Sequence, residues 1–250
     1  MTAHVFDIKG LKTSCQNCSL AELCLPLGLD QVDVDRLDEI VRRARPMNAG
    51  DHLFRTGDAF RSLYAVRAGS VKVYSLDADG EEQILGFHLP GELLGMDAIS
   101  GKAHACSAKV LETTSVCEIP FERLQELSLR LPSLQSQLFR LLSQEIIHDE
   151  AMLLVLGKKP AEERLATFLL SLSERFHRRG FSATEFNLSM SRHDIGNYLG
   201  LAVETVSRLF RRFQDDGLLE VQRKHILITD LPRLRAMVHM CDHAEQGTAH

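Results

Sequence analysis

One stretch constrains the fold more than any other: Ser191 to Gly217, SRHDIGNYLGLAVETVSRLFRRFQDDG. Ser191 with Asp194 three residues on has the pattern of a capping box, which starts a helix. Ile195 and Leu199, four apart, give that helix an apolar face, and Gly196 between them leaves room for a second helix to approach. Gly200 supplies a left-handed residue that ends the first helix. After Leu201 a second helix carries Val203, Val206, Leu209, Phe210 and Phe213 on its buried side, and Asp216-Gly217 closes it. Two short helices, a glycine turn and this spacing predict a helix-turn-helix. The outer face of the second helix is left with Glu204, Thr205, Ser207, Arg208, Arg211 and Arg212, residue types that reach base edges and phosphates in a major groove. A hairpin pattern follows: Leu218 to Val221, a basic turn Gln222-Arg223-Lys224-His225, then Ile226 to Thr229. Plain helical packing would need neither the hydrogen-bonding forks nor this basic turn, which reads as a wing laid on phosphates. DNA binding is the expectation.

A net charge of −5 looks wrong for a DNA binder until it is divided. Residues 158–235 hold 14 Lys+Arg against 10 Asp+Glu, a net of +4, whereas the rest holds 15 against 24, a net of −9. The basic surface is thus confined to the C-terminal third, and the acidic remainder should keep nonspecific DNA affinity modest and salt-dependent. At 250 residues two domains are expected. No apolar run approaches a membrane span and Met1 to Gly10 has no signal-peptide core, so a cytoplasmic location is expected. There the six cysteines stay reduced unless a metal or catalysis uses them.

Three of those cysteines cluster. Cys15, Cys18 and Cys24 form a C-x2-C-x5-C run in SCQNCSLAELC, a segment with little periodicity. Clustering of so scarce a residue points to convergence on one centre. A dithiol redox enzyme using Cys15 and Cys18 is the rival of a different class, but it needs a βαβ unit that the sequence lacks. A fourth ligand must come from elsewhere: Cys117, Cys106 or, more remotely, Cys241. Four thiolates suit tetrahedral zinc or an iron–sulfur cluster, and spacing alone does not separate them.

Residues 31–45 read as a short amphipathic helix on Val34, Leu37, Ile40 and Val41. From Pro46 to about Glu118 short β runs are cut by Gly50, Gly57, Gly69, Gly80 and Gly91, with Leu63–Val66 and Ser70–Tyr74 as strands and Asp77 to Gly80 as a hairpin loop. Such spacing suggests a jelly-roll or β-roll. Pro120 to Leu129 reads as a helix, and Pro132 opens the longest one, to about Leu156. Its stripe is Leu134, Leu138, Leu141/Leu142, Ile146, Asp149, Leu153 and Leu156, long enough for a coiled-coil seam between two subunits, with Leu138, Leu142, Ile146, Asp149, Leu153 and Leu156 as seam residues. Burial within one chain is the alternative. Two copies of Asp149 facing each other across a symmetric seam would cost on the order of 1–3 kcal/mol, which would keep the dimer marginal and open to control. Lys158-Lys159-Pro160 breaks the helix, Ala161 to Arg175 is another, and Phe176 to Leu188 reads as a connecting segment. The expected architecture is α+β: a cysteine-rich segment (1–30), a β-roll sensor domain (31–130), a dimerisation helix (131–157), a winged helix-turn-helix (158–238) and a polar tail (239–250).

This order, together with the strings CQNCSLAELCLPL, GFHLPGELLGMDAI, LETTSVCEIPFERL, KKPAEERLATFLLSLSERF and SRHDIGNYLGLAVETVSRLFRRFQ, resembles the CRP/FNR family of bacterial transcription regulators, and within it the oxygen-sensing FNR/Anr subgroup. The resemblance covers nearly the whole chain. It implies a non-enzymatic activator or repressor of anaerobic genes in which Cys15, Cys18, Cys24 and Cys117 bind a [4Fe–4S] cluster that stabilises a homodimer. Cys106 lies outside the matched pattern. It further implies that Glu204, Ser207 and Arg208 read a palindrome of TTGAT and ATCAA half-sites, and that RNA polymerase is a partner, with the loop Asp77 to Glu81 facing it. A zinc-stapled or heme-based sensor on the same DNA head is the nearer alternative. Cyclic-AMP receptors of the family follow a Gly-Glu-Leu string with an Arg-Ser pair that grips phosphate. Here Gly91-Glu92-Leu93 is present, but no arginine occurs between Arg67 and Arg123, so no cyclic nucleotide is expected.

Overall fold

The computed structural model describes residues 14–238; Cys241 and the expected tail lie outside the described residues. Asp30 caps the first helix, α1 (Gln31–Ile40), by accepting from the Asp33 amide. This helix is shorter than its apolar spacing suggests. Val41 is extended, and Arg42–Arg43 form a strand (β1) that pairs with Glu118 and Cys117. Strand pairing outweighs the helical pattern because Pro46 closes off any helical continuation.

Strands β2 (His52–Phe54), β3 (Ser62–Ala68), β4 (Val71–Leu76), β5 (Glu82–His88), β6 (Leu93–Leu94), β7 (Ser107–Val110) and β8 (Ser115–Pro120) complete the β-roll. They form two four-stranded sheets, ordered β1-β8-β3-β6 and β2-β7-β4-β5, with antiparallel pairing. Helix α2 (Phe121–Ser128) leads to α3 (Pro132–Lys158), which has Pro132 in its first turn and stops before Pro160.

The C-terminal part is α4 (Ala161–Arg178), β9 (Glu185–Asn187), α5 (Arg192–Leu199), α6 (Val203–Asp215), β10 (Leu219–Gln222), β11 (His225–Ile228) and α7 (Leu231–Ala236). Two features depart from expectation. Helix α4 runs three residues past Arg175, and the segment expected to be a plain connection contains β9, which pairs with β11 to make a three-stranded wing sheet ordered β10-β11-β9. Among the described residues no helix is long and apolar enough to cross a membrane.

The cores explain how the parts are joined. One cluster gathers Leu25 of the cysteine segment, Leu37, Leu63, Leu93, Ile119 and Leu124, and it takes in Leu134 from the start of α3. Another is continuous across the domain boundary: Tyr74, Ile84, Phe87 and Leu89 of the β-roll pack with Leu165, Leu169, Ile195, Tyr198 and Phe213. Polar contacts reinforce that junction. Lys72 Nζ on β4 donates to Glu82 at 2.5 Å and to Asp194 at 2.9 Å, and the Ile84 amide donates to Asn197 Oδ1 at 2.6 Å.

Candidate functional site

The cysteine trio lies on two short 3-10 turns, Cys15–Asn17 and Ala21–Leu23, with Cys18 and Cys24 each closing one of them. Cys117 comes from β8, paired with Arg43 on one side and Ala65 on the other. All four thiols border one cavity, a space of about 450 Å³ open to solvent, whose remaining wall is mainly apolar: Leu25, Leu37, Val41 and Ile119 are among its residues. Cys106 is buried elsewhere, in the cluster around Phe54 and Val66.

Charged groups gather beside Cys15. Its amide donates to Asp38 Oδ1 at 2.7 Å, Asp38 pairs with Arg43, and the Arg43 guanidinium lies 3.7 Å from Cys15 Sγ. Burial alone would raise the Asp38 carboxyl, but the Cys15 amide and Arg43 hold it below the usual range. The thiols move the other way. Burial pushes Cys24 up to about 12 and raises Cys15 and Cys117 as well, Asp38 adding to the rise at Cys15. Thiols so placed hold their protons at neutral pH and become thiolates when a metal centre supplies compensating charge. Among the described residues no three Cys, His, Asp or Glu side chains stand close enough together to hold one metal ion. A cluster with one thiolate per iron needs its donors around a larger object, which four thiols bordering a common cavity can provide.

Sequence reasoning missed the groups that tie this segment down. Gln137, only 5% exposed although in α3, donates to the Cys24 carbonyl at 2.9 Å and accepts from Arg140 at 2.8 Å. A polar residue in the buried stripe of α3 was the available signal. Asp38 and Arg43 gave none, since their partner lies far away in sequence.

In the head, the Ser191 side chain accepts from the Asp194 amide at 3.0 Å and Asp194 accepts from the Ser191 amide at 2.9 Å. A Cβ on Gly196 would sit 2.6 Å from the Leu201 carbonyl, so only glycine lets the turn close over α5, and Gly200 has φ +62. Val206, Leu209, Phe210 and Phe213 are buried and Val203 half-buried. Glu204, Ser207, Arg208, Arg211 and Arg212 are exposed together on α6, with Thr205 half-buried beside them. Arg208 donates to Thr205 Oγ1 at 3.2 Å, and Arg212 pairs with Glu162. The wing turn exposes Arg223 and Lys224.

On α3, Ile146 and Leu153 are 58% and 69% exposed, Asp149 is exposed, and Leu142 and Leu156 are half-buried. Leu138 is half-buried, in contact with the β-roll core, and Phe139, 61% exposed, adds an outward apolar group one heptad before Ile146. Adjacent residues on a helix point about 100° apart, so packing of the first turns onto the β-roll decides which one faces out. Nearby Glu145 is pushed up to about 7 by burial and then by Asp149.

Comparison with known proteins agrees with this layout. Residues 163–237 match the Crp-like helix-turn-helix domain family, and residues 44–130 match the cyclic nucleotide-binding domain family. The solved structure of FixK2 from Bradyrhizobium japonicum superposes with a TM-score of 0.72 at 32% identity, covering 78% of this chain and 97% of that one. The fold and head therefore define a DNA-binding transcription regulator of Crp type. Identity is high to the transcriptional activator protein Anr of Pseudomonas aeruginosa (58%, covering 94% of this chain and 97% of the relative). It is also substantial to the fumarate and nitrate reduction regulatory protein of Salmonella typhimurium (51%, covering 91% of each). The chain belongs to the FNR/Anr subgroup of the CRP/FNR family.

Proposed function

We propose that this chain is an oxygen-responsive regulator in which Cys15, Cys18, Cys24 and Cys117 hold a [4Fe–4S] cluster, and that it acts as a homodimer on palindromic operators of TTGAT and ATCAA half-sites. The observation that carries the reading is the meeting of the N-terminal trio and the β8 thiol at one apolar cavity. When bound, the cluster supplies an oxygen-labile crosslink between the segment and the β-roll. The chain's own residues do the rest. Leu25 anchors the segment in the core that contains Leu134, and Gln137 fixes the Cys24 carbonyl to α3. A seated segment thereby steadies the start of α3, whose Leu138, Leu142, Ile146, Leu153 and Leu156, joined by Phe139, pair with their copies against the repulsion of Asp149.

Pairing sets two α6 helices one turn of DNA apart, with Arg208 suited to guanine O6 and N7, Glu204 to cytosine N4, and Thr205, Ser207, Arg211 and Arg212 to neighbouring groups and phosphates. Cyclic nucleotide has no part in this reading, since no arginine stands between Arg67 and Arg123 to grip a phosphate after Gly91-Glu92-Leu93. The loop after β4, where Asp77 accepts the Asp79 and Glu81 amides at 2.9 Å each, is an ordered acidic knob suited to RNA polymerase.

Anaerobic purification with iron and sulfide assay tests the reading. A brown protein carrying both, bleached by air with parallel loss of operator binding, is the expected result. Colourless zinc, or a sharp heme band, would replace the sensor while leaving the DNA head. Asp149→Ala should sediment as a dimer in air; an unchanged monomer would remove Asp149 from the control of pairing.

A further inference from the structure

One turn of the β-roll touches both the cysteine segment and the DNA head. Gly91, φ +93, packs so closely under the segment that a Cβ there would lie 2.9 Å from the Leu23 Cβ and 3.8 Å from the Leu20 Cβ. A side chain at this position would force Leu23 or the turn itself to shift, and the positive φ disfavours one in any case. Glu92, the next residue, reaches α4 instead. Its Oε1 accepts from Arg175 Nε at 3.0 Å and from Arg179 Nη2 at 2.5 Å, and its Oε2 from Arg175 Nη2 at 2.5 Å and the Leu89 amide at 3.0 Å. Arg179 Nε also donates to the Pro90 carbonyl at 2.7 Å. The two arginine side chains are only 12% and 2% exposed and the Glu92 side chain 27%, so the guanidiniums depend on this carboxylate more than on water.

We propose that Pro90-Gly91-Glu92 is a mechanical relay: the seating of Leu20 and Leu23 on Gly91 sets the grip of Glu92 on Arg175 and Arg179, and with it the hold of the β-roll on α4 and the reading head. This route is separate from the one through Gln137 and α3. It reaches the head within a single chain, so it operates before and after pairing. The signal it carries rests on the cluster reading, because the segment seated on Gly91 is the one that bears Cys18 and Cys24. Glu92, Arg175 and Arg179 are positioning residues in this scheme and touch neither cluster nor DNA.

Hydrogen exchange on the reduced, full-length chain tests the relay without requiring a loaded cluster. Glu92→Gln should speed exchange across residues 161–178 by about tenfold, the scale of losing one charge-assisted contact. The pair Leu20→Ala and Leu23→Ala, both in the cysteine segment, should speed the same residues, and adding Glu92→Gln to that pair should add little. Unchanged protection of α4 in the leucine pair, unchanged protection in Glu92→Gln, or fully additive effects would each overturn the relay. If Glu92→Gln does not fold, Arg179→Gln takes its place with the same outcomes. Iron and sulfide content report separately on the cluster reading, so coupled exchange in a protein that never takes up iron keeps the relay and discards that reading.

Discussion

The reading head and the cysteine cavity are built in opposite ways. Within the head, every device that shapes the motif lies within 27 residues: the Ser191–Asp194 box, Gly196 under the Leu201 carbonyl, Gly200 at the turn and the apolar side of α6. Val206, Leu209, Phe210 and Phe213 are buried beneath a polar outer face, so the motif's shape is set by its own residues. The cavity draws on Cys15 to Cys24, Asp38, Arg43, Cys117 and Gln137, brought together from the cysteine segment, α1, β1, β8 and α3. Burial raises its Cys15, Cys24 and Cys117 thiols, and the Asp38–Arg43 pair stands beside Cys15. The first region is assembled from neighbours in sequence; the second is assembled across the whole β-roll. The regulator thus carries a locally specified reader beside a thiol site whose order depends on long-range contacts.

Substitutions can break that contrast, and the largest effect belongs to the sensor. Cys117→Ser should abolish iron retention and lower operator affinity by more than about a hundredfold, while the head keeps its fold. Gel retardation and far-ultraviolet dichroism on one sample read both halves, and a parallel loss of secondary structure would make the two regions one unit. Gly196→Ala should act in reverse, costing about 2–3 kcal/mol in urea unfolding and disordering the head while thiols remain able to load iron. Arg208→Ala should leave stability and iron untouched but cost about 1–3 kcal/mol of operator binding, concentrated at the guanine it faces. Equal loss on every sequence would make Arg208 a phosphate contact. The smallest effect is Ser191→Ala, about 1 kcal/mol of stability from the lost cap, with no change in the ratio of specific to nonspecific binding.

The same contrast governs what could be read from the residues alone. The helix-turn-helix was legible because caps, turns and periodicity are local signals. The cysteines were legible by type and clustering, and Cys117 by the string around it. Their surroundings were not: Gln137 meets Cys24 across 113 positions, and Arg43 meets Cys15 across 28. Strand β9 has three residues with one buried, too few for an alternating pattern to stand out. The overextension of α1 came from Val41, whose apolar side chain continues a helical face while its backbone is already extended toward β1.

The core that runs unbroken from Tyr74 and Phe87 into Leu165 and Tyr198 has a practical corollary. Cleaving the polypeptide near Lys159-Pro160 would not release a tidy reader; it would tear a sheet face from the helices that cover it and leave two greasy scars. Fragments made at that point should clump, and this protein is best handled, and best evolved, as an undivided piece.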